Sequence, residues 1–323
     1  MSSVRVAALA AALLAAAAAH ANDSTAALGT GGINLVRNTE IDLLSEDLFI
    51  SAKEVRITYR FRNHTTAPVS YLVAFPLPLL DASVPEETNF VLPNDQGDNF
   101  VDFEVKVDGK AVVPAIDQHA TALGIDRTEE IRKHGLSLNP ANPSLYEKLQ
   151  KLPKDEISAL NNLGLVLVDP DNVQAAWKLA TTFYWPLTFP PGQDVVVQHR
   201  YRPVVGFSFF GKESLKLPHY KTDYCTDAAF TQTASKRLAG ISGTAMPYWD
   251  EQRISYILTT ANNWAAPIKQ FHLTVDKGDP DALVSFCGTN VRKTGATTFE
   301  MTATDFVPER ELEVLIVKPH KDP

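Results

Sequence analysis

Nine residues, HYKTDYCTD from His219 to Asp227, hold a histidine, two aspartates, two tyrosines and one of the chain's two cysteines. Three chemistries suit such a set. A metal site would draw on His219, Asp223, Asp227 and the thiolate of Cys225. On an extended segment all four share one face, because side chains alternate with a period of two. No second close cysteine pair accompanies them, so the spaced thiolates of a zinc site are missing, and no metal is expected. A reactive thiol would need a neighbouring base and a lowered pKa. A disulfide anchor needs only Cys287, the second cysteine. In that reading the acidic residues belong to a solvated loop held by the bond.

The choice among these depends on where the chain resides. Its first residues, MSSVRVAALAAALLAAAAAHA, carry one positive charge, Arg5, and then an apolar run to Ala19. Ala19-His20-Ala21 fits the small-x-small cleavage rule, so residues 1–21 read as a secretory signal peptide and the mature chain is expected to start at Asn22. The run is short and almost all alanine, a poor membrane span. No later apolar run is longer, and no transmembrane segment is expected after cleavage. In the oxidising periplasm or outside the cell, an even cysteine count favours a Cys225–Cys287 disulfide. Without Arg5 the chain carries 29 basic and 38 acidic residues, a net charge near −9. That balance argues against a nucleic-acid partner, which needs clustered Lys and Arg.

Other residues offer candidate chemistry of the same kind. His199 in VVVQHRYRP shares parity with Val195, Val197 and Tyr201, which points it into the core as a hydrogen-bonded histidine; the sharper reading is a ligand contact. His272 has the opposite parity to its apolar neighbours and reads as exposed. Tyr248, Trp249 and Trp264 are candidate ligand-contact aromatics, set against ordinary packing. Trp264 follows TTANN in a turn and is the best placed of them for exposure. The glycine run Gly29–Gly32 has neither the preceding strand nor the Gly-Lys-Ser/Thr of a phosphate loop, and reads as part of a flexible mature N-terminus. DKGDPD (276–281) lacks the order of a calcium loop. No Gly-x-Ser-x-Gly or His-Glu-x-x-His occurs, and no cofactor is expected.

The elements that must position these residues are mostly strands. In EVRITYRFRN, Val55, Ile57, Tyr59 and Phe61 alternate with Arg56, Thr58, Arg60 and Arg62, the mark of a half-buried antiparallel strand. Asp108-Gly109 is a two-residue hairpin signal. Between about 117 and 182 the pattern turns helical, with up to four short helices in DRTEEIRKHG, PSLYEKLQKLP, DEISALNNLG and DNVQAAWKLA. Short strands return to the C-terminus, with Pro191-Gly192 as a turn. The expected fold is mainly β (α+β): two packed β-sandwich-like units, residues 22–206 with the helical insertion and residues 207–323.

Several segments together resemble a known family. NDSTAALGTGGINLVRNTEIDLLSEDLFIS, EVRITYRFRN, VAFPLP, FYWPLTFPPGQDVVVQHRYRPVVG, YCTD and TTANNWAAPIKQFHLTVDKG are similar, in this order, to the DUF4424 family of exported bacterial proteins. The resemblance covers nearly the whole mature chain. It implies a location and a shape, and no catalytic residues. Locally, ITYRFRN, AFPLP, FEVKVDGK and FPPGQDVVVQHRY resemble the VIT domain of inter-alpha-trypsin inhibitor heavy chains. No Asp-x-Ser-x-Ser metal motif occurs, so no metal-dependent adhesion role follows from that likeness.

These readings converge on an exported, non-enzymatic binding or scaffold protein of the bacterial periplasm or envelope, with an envelope protein or glycan as partner. A periplasmic hydrolase is the alternative. It would assemble its site from His199, His219, Asp223 and Asp227 on distant loops, since catalytic groups need only meet in space. An oligomeric structural protein of the envelope is the third reading.

Overall fold

The computed structural model describes residues 22–29, 32–84, 89–94, 97–170, 172–240 and 248–320; the expected leader lies outside them. The architecture is mainly β, built from several multi-stranded sheets, as the alternating patterns imply. Among the described residues no helix is long and apolar enough to cross a membrane.

An eight-stranded sheet forms the centre. Its order is Arg292–Lys293, Thr298–Phe306, Ile268–Asp276, Ile41–Ser51, Val55–Asn63, Asp194–Tyr201, Glu104–Val107 and Lys110–Val112. The strand Val55–Asn63 shows why it forms. Val55, Ile57, Tyr59 and Phe61 are fully buried, while Arg56, Arg60 and Arg62 face solvent. Burying each such side chain contributes roughly 1.5–3 kcal/mol. Asp108 and Gly109 take positive φ of 47° and 77° and join two of the strands, the conformation a two-residue hairpin requires.

Ile268–Asp276 pairs in parallel with Ile41–Ser51, so segments before and after residue 206 share this sheet. One continuous apolar core, running from Ile41 to Ile316, joins them. A second sheet holds Ile125–Asp126, Ala115–Ala122, Lys178–Phe189, Val69–Pro76, Ser24–Gly29 and Gly32–Val36. A third holds Leu283–Phe286, Leu312–Pro319, Trp249–Tyr256, Val205–Phe210 and Phe90–Val91. Leu312–Pro319 is buried on both faces. Val314 and Ile316 enter the main core, whereas Leu315 and Val317 pack under two helices, Pro218–Tyr224 and Ala228–Ala239. The uninterrupted apolar run in ELEVLIVK follows from that double cover.

Three expectations are corrected here. The helical insertion contains Thr128–Lys133, Pro143–Leu149 and Lys154–Asn162, but the fourth helical pattern gives strands instead, Asn172–Ala175 and the start of Lys178–Phe189. Val173, Ala175, Trp177 and Leu179 are all buried, and this period of two prevails over the helical one. The indole Nε1 of Trp177 donates to the Leu138 carbonyl at 2.7 Å, which ties the insertion to the sheet. Second, the stretch around His219 is neither strand nor loop but helix, as is much of the small-residue region that follows.

The third correction concerns the N-terminal segment. Ser24–Gly29 pairs antiparallel with Val69–Pro76 and with Gly32–Val36. Residues Asn22 to Thr25 are fully buried. Gly32 has φ of 100°, and a Cβ there would fall 2.3 Å from Nε2 of His119, so the position demands glycine. Gly29 and Gly32 pair with each other across a hairpin rather than lying in a flexible tail; residues 30 and 31 fall outside the described residues.

Candidate functional site

The chain turns out of the central sheet at Val205–Phe210 and enters the helix Pro218–Tyr224, which closes at Cys225. Cys225 sits in the left-handed region with φ of 53°, an uncommon state for a residue with a Cβ. Its disulfide to Cys287, with Cα atoms 5.0 Å apart, pins that elbow beside the strand Leu283–Phe286. The Ser285 hydroxyl donates to the Tyr224 carbonyl at 2.8 Å and adds a second tie. Of the three chemistries open to HYKTDYCTD, the disulfide is the one the structure contains.

A cleft of about 850 Å³ lies between this helix and the third sheet. That size suits a small molecule. One wall is apolar, with Leu77, Leu80, Phe100, Val101, Tyr201 and Val204. The other is polar, because Glu251, Arg253 and Ser255 share one face of Trp249–Tyr256, and Glu313 sits opposite Ser255 on the neighbouring strand. The Ser255 hydroxyl donates to Glu313 at 2.5 Å. The Tyr220 hydroxyl donates to the buried Glu251 at 2.5 Å, and the Arg253 guanidinium lies 3.4 Å from the same carboxylate. At the rim, Arg310 donates to the Thr222 carbonyl at 2.7 Å.

Burial raises the pKa of Glu251, while Tyr220 and Arg253 oppose the shift. Glu313 is pushed up to about 7, first by burial and then by the nearby charges of Asp223 and Glu311. The folded chain therefore holds a proton on Glu313 that the unfolded chain releases near the ordinary 4.5. The stability from this group is complete below that value and is lost as pH rises through about 7. Glu313→Gln is expected to flatten the fall in urea-unfolding free energy between pH 4.5 and about 7, the interval between the two titrations. A slope equal to that of the unaltered protein would show that Glu313 titrates normally.

The proposed hydrolytic residues do not gather here. His219 and Asp223 line the cleft. Asp227 caps the helix Ala228–Ala239, its carboxylate accepting from the Phe230 amide at 2.7 Å. His199 lies elsewhere, fully buried, with Nε2 2.9 Å from Asp23. Its inward parity is as expected from sequence. Around it, the Asn22 amide donates to Glu46 at 2.9 Å, and the hydroxyls of Tyr59 and Tyr256 lie 3.0 Å apart. Among the described residues no group of three His, Cys, Asp or Glu side chains is arranged to hold a metal.

The candidate aromatics separate as well. Trp264 is 1% exposed, not displayed at a turn. Trp249 is buried, with the Arg237 guanidinium 5.7 Å from its ring centre. Tyr248 is half-buried against Phe209 and His320. Sequence reasoning overlooked Glu251, Arg253 and Glu313. The available signal was three polar residues of one parity in DEQRIS, which reads as a solvent face until two helices cover it.

A comparison with curated protein sequences gives no match. Among solved structures, the chain superposes on a proposed nutrient binding protein from Legionella pneumophila with a TM-score of 0.47 and 14% identity, covering 92% of this chain and 70% of that one. A likeness of that degree carries no argument about a ligand. A family model described as a domain of unknown function, DUF4424, matches residues 21–315. With nearly the whole described chain matched, the protein belongs to the DUF4424 family.

Proposed function

We propose that this is an exported binding protein that holds a small amphiphilic molecule, an apolar body bearing an ammonium group, in the cleft beside the disulfide. The observation that carries the reading is the division of the cleft into an apolar wall and an acidic one. Asp223, Glu251, Glu311 and Glu313 outnumber Arg253 and Arg310 among its lining residues, and the two arginines already face Glu251 and a carbonyl. A ligand cation beside Glu313 would relieve the like-charge crowding and gain a charge-assisted hydrogen bond. Export is supported by the leader-like first residues and the disulfide, which persists in oxidising compartments. The non-enzymatic part of the reading rests on the separation of His199 and Asp227 from His219 and Asp223, which alone of the four line the cleft.

Calorimetric titration with phenethylamine and with 3-phenylpropionate at pH 8 tests the charge preference. The amine is expected to bind, the carboxylate is not, and Glu313→Gln is expected to weaken the amine by about tenfold or more, the worth of a hydrogen bond to a charged group. Preference for the carboxylate, or an amine affinity indifferent to Glu313→Gln, would overturn the assignment.

A further inference from the structure

The buried cluster at the start of the described chain has no role in the cleft. Asn22, Asp23, Ser24 and Thr25 are fully buried, and Glu46 and His199 are nearly so. Asn22 is pinned through its side chain and its carbonyl. Its amide donates to Glu46 at 2.9 Å, its Oδ1 accepts from the Asp23 amide at 2.9 Å, and its carbonyl accepts from Thr260 Oγ1 at 2.8 Å. Two more contacts hold the next residues: Trp264 Nε1 donates to the Asp23 carbonyl at 2.6 Å, and the Asn263 amide donates to Ser24 Oγ at 3.0 Å.

Charge balance is where the cluster is incomplete. It contains two carboxylates, Asp23 and Glu46, and one imidazole, His199, which is committed to Asp23 through Nε2. Asp23 Oδ2 and His199 Nδ1 are buried without a hydrogen-bond partner. Among the described residues Glu46 is met only by neutral donors, the Asn22 amide and the Tyr256 hydroxyl, the latter at 3.3 Å. Buried charges of this kind are costly unless a counter-charge with good geometry accompanies them.

We propose that proteolysis supplies that counter-charge: hydrolysis of the Ala21–Asn22 bond frees an α-ammonium group that stays in the core and forms ion pairs with Asp23 and Glu46. In the step, an envelope peptidase adds water across the peptide bond. The C–N bond breaks, the water oxygen joins the Ala21 carbonyl carbon to leave a carboxylate, and both water protons end on the Asn22 nitrogen as an ammonium; nothing is oxidised or reduced. The new terminus carries three donors and one positive charge where the intact chain has a neutral amide with at most one donor. The inference rests on the export reading above, which supplies the cleavage. It adds that the N-terminus is an internal part of the folded molecule, so that folding is completed only after the leader is removed. The surrounding groups agree in direction. Burial raises Asp23 against the opposing pull of His199, and it pushes Glu46, which among the described residues has no cation beside it, up to about 8.

The test uses protein purified from the extracytoplasmic fraction of its own host. Intact mass gives the first residue. Brief acetylation with acetic anhydride, followed by peptide mapping, then measures how fast the α-amine reacts in the folded and in the urea-unfolded protein. The expected result is a chain starting at Asn22 whose α-amine reacts about 100-fold or more slowly when folded, the protection given by a buried ion pair. A second chain, made with Met-Ala ahead of Asn22, is expected to lose more stability between pH 4.5 and about 8 than the processed chain, which keeps only the fall due to Glu313. A mass that retains residues 1–21 overturns the inference together with the leader cleavage it rests on, and a start at another residue overturns the inference alone. A start at Asn22 with an α-amine that reacts as fast folded as unfolded leaves export standing and overturns the buried ion pair.

Discussion

Trp264→Ala is expected to lower the unfolding free energy by about 3–5 kcal/mol, the loss typical of a large aromatic truncated in a core. The indole is 1% exposed. Its ring centre lies 4.6 Å from that of Phe61 and 6.3 Å from that of Phe189, so it joins the central sheet to the second one. Its Nε1 also donates to the Asp23 carbonyl at 2.6 Å, the bond that holds the N-terminal segment in the core. Alanine removes the packing and leaves a buried acceptor unpaired, two losses at one position. Domains of this kind are stable by only about 5–15 kcal/mol, so the truncated chain sits close to unfolding at 25 °C. Trp264→Phe supplies the graded control: it keeps a ring, loses the N–H, and is expected to lose about 1–3 kcal/mol. Urea unfolding at 10 °C measures both. A loss under about 1 kcal/mol for alanine would return Trp264 to the exposed role that its place after TTANN suggests.

Replacing both cysteines, Cys225→Ser with Cys287→Ser, is expected to destabilise the fold by about 4 kcal/mol on the chain-entropy account of cross-links. The bond spans 62 residues, and its absence enlarges the unfolded ensemble accordingly. The folded side loses something more local. Cys225 is held at a positive φ between the helices Pro218–Tyr224 and Ala228–Ala239, and the same elbow carries His219, Tyr220 and Asp223 along the cleft. The double variant is therefore expected to loosen that wall as well, with faster amide hydrogen exchange in 218–227 than in the central strand Val55–Asn63. Exchange measured by mass spectrometry and urea unfolding read the two effects separately. Equal stability with and without the bond would show that the elbow is held by its packing and by the Ser285–Tyr224 hydrogen bond alone.

Much of the architecture is legible in local pattern. The alternation through Val55, Ile57, Tyr59 and Phe61 sets a strand and the face it buries, because a period of two admits one inward set. Asp108-Gly109 forms its turn because both residues tolerate positive φ. The inward parity of His199 is likewise local, read from Val195, Val197 and Tyr201. The cysteine pair follows from an even count in a chain with a leader-like start. DNVQAAWKLA, by contrast, fits two periods in sequence. Its strand partners decide between them, since Asn172–Ala175 pairs with Val166–Asp169 and Lys178, Leu179 and Ala180 pair with Thr121, Ala120 and His119.

The candidate site depends on covering, which no local pattern records. Glu251, Arg253 and Glu313 look like a solvated face until Pro218–Tyr224 packs over that side of the sheet and encloses them. The N-terminal residues look like a flexible polar tail until Ser24–Gly29 finds Val69–Pro76 and carries Asn22 and Asp23 between two sheets. By itself the sequence determined the β class and the inward faces of the strands, because each follows from residue type and spacing, and it favoured the disulfide through an even cysteine count. Only the tertiary structure decided which polar residues lose their water. Burial is set by the element that lies on top, and here that element is distant in sequence.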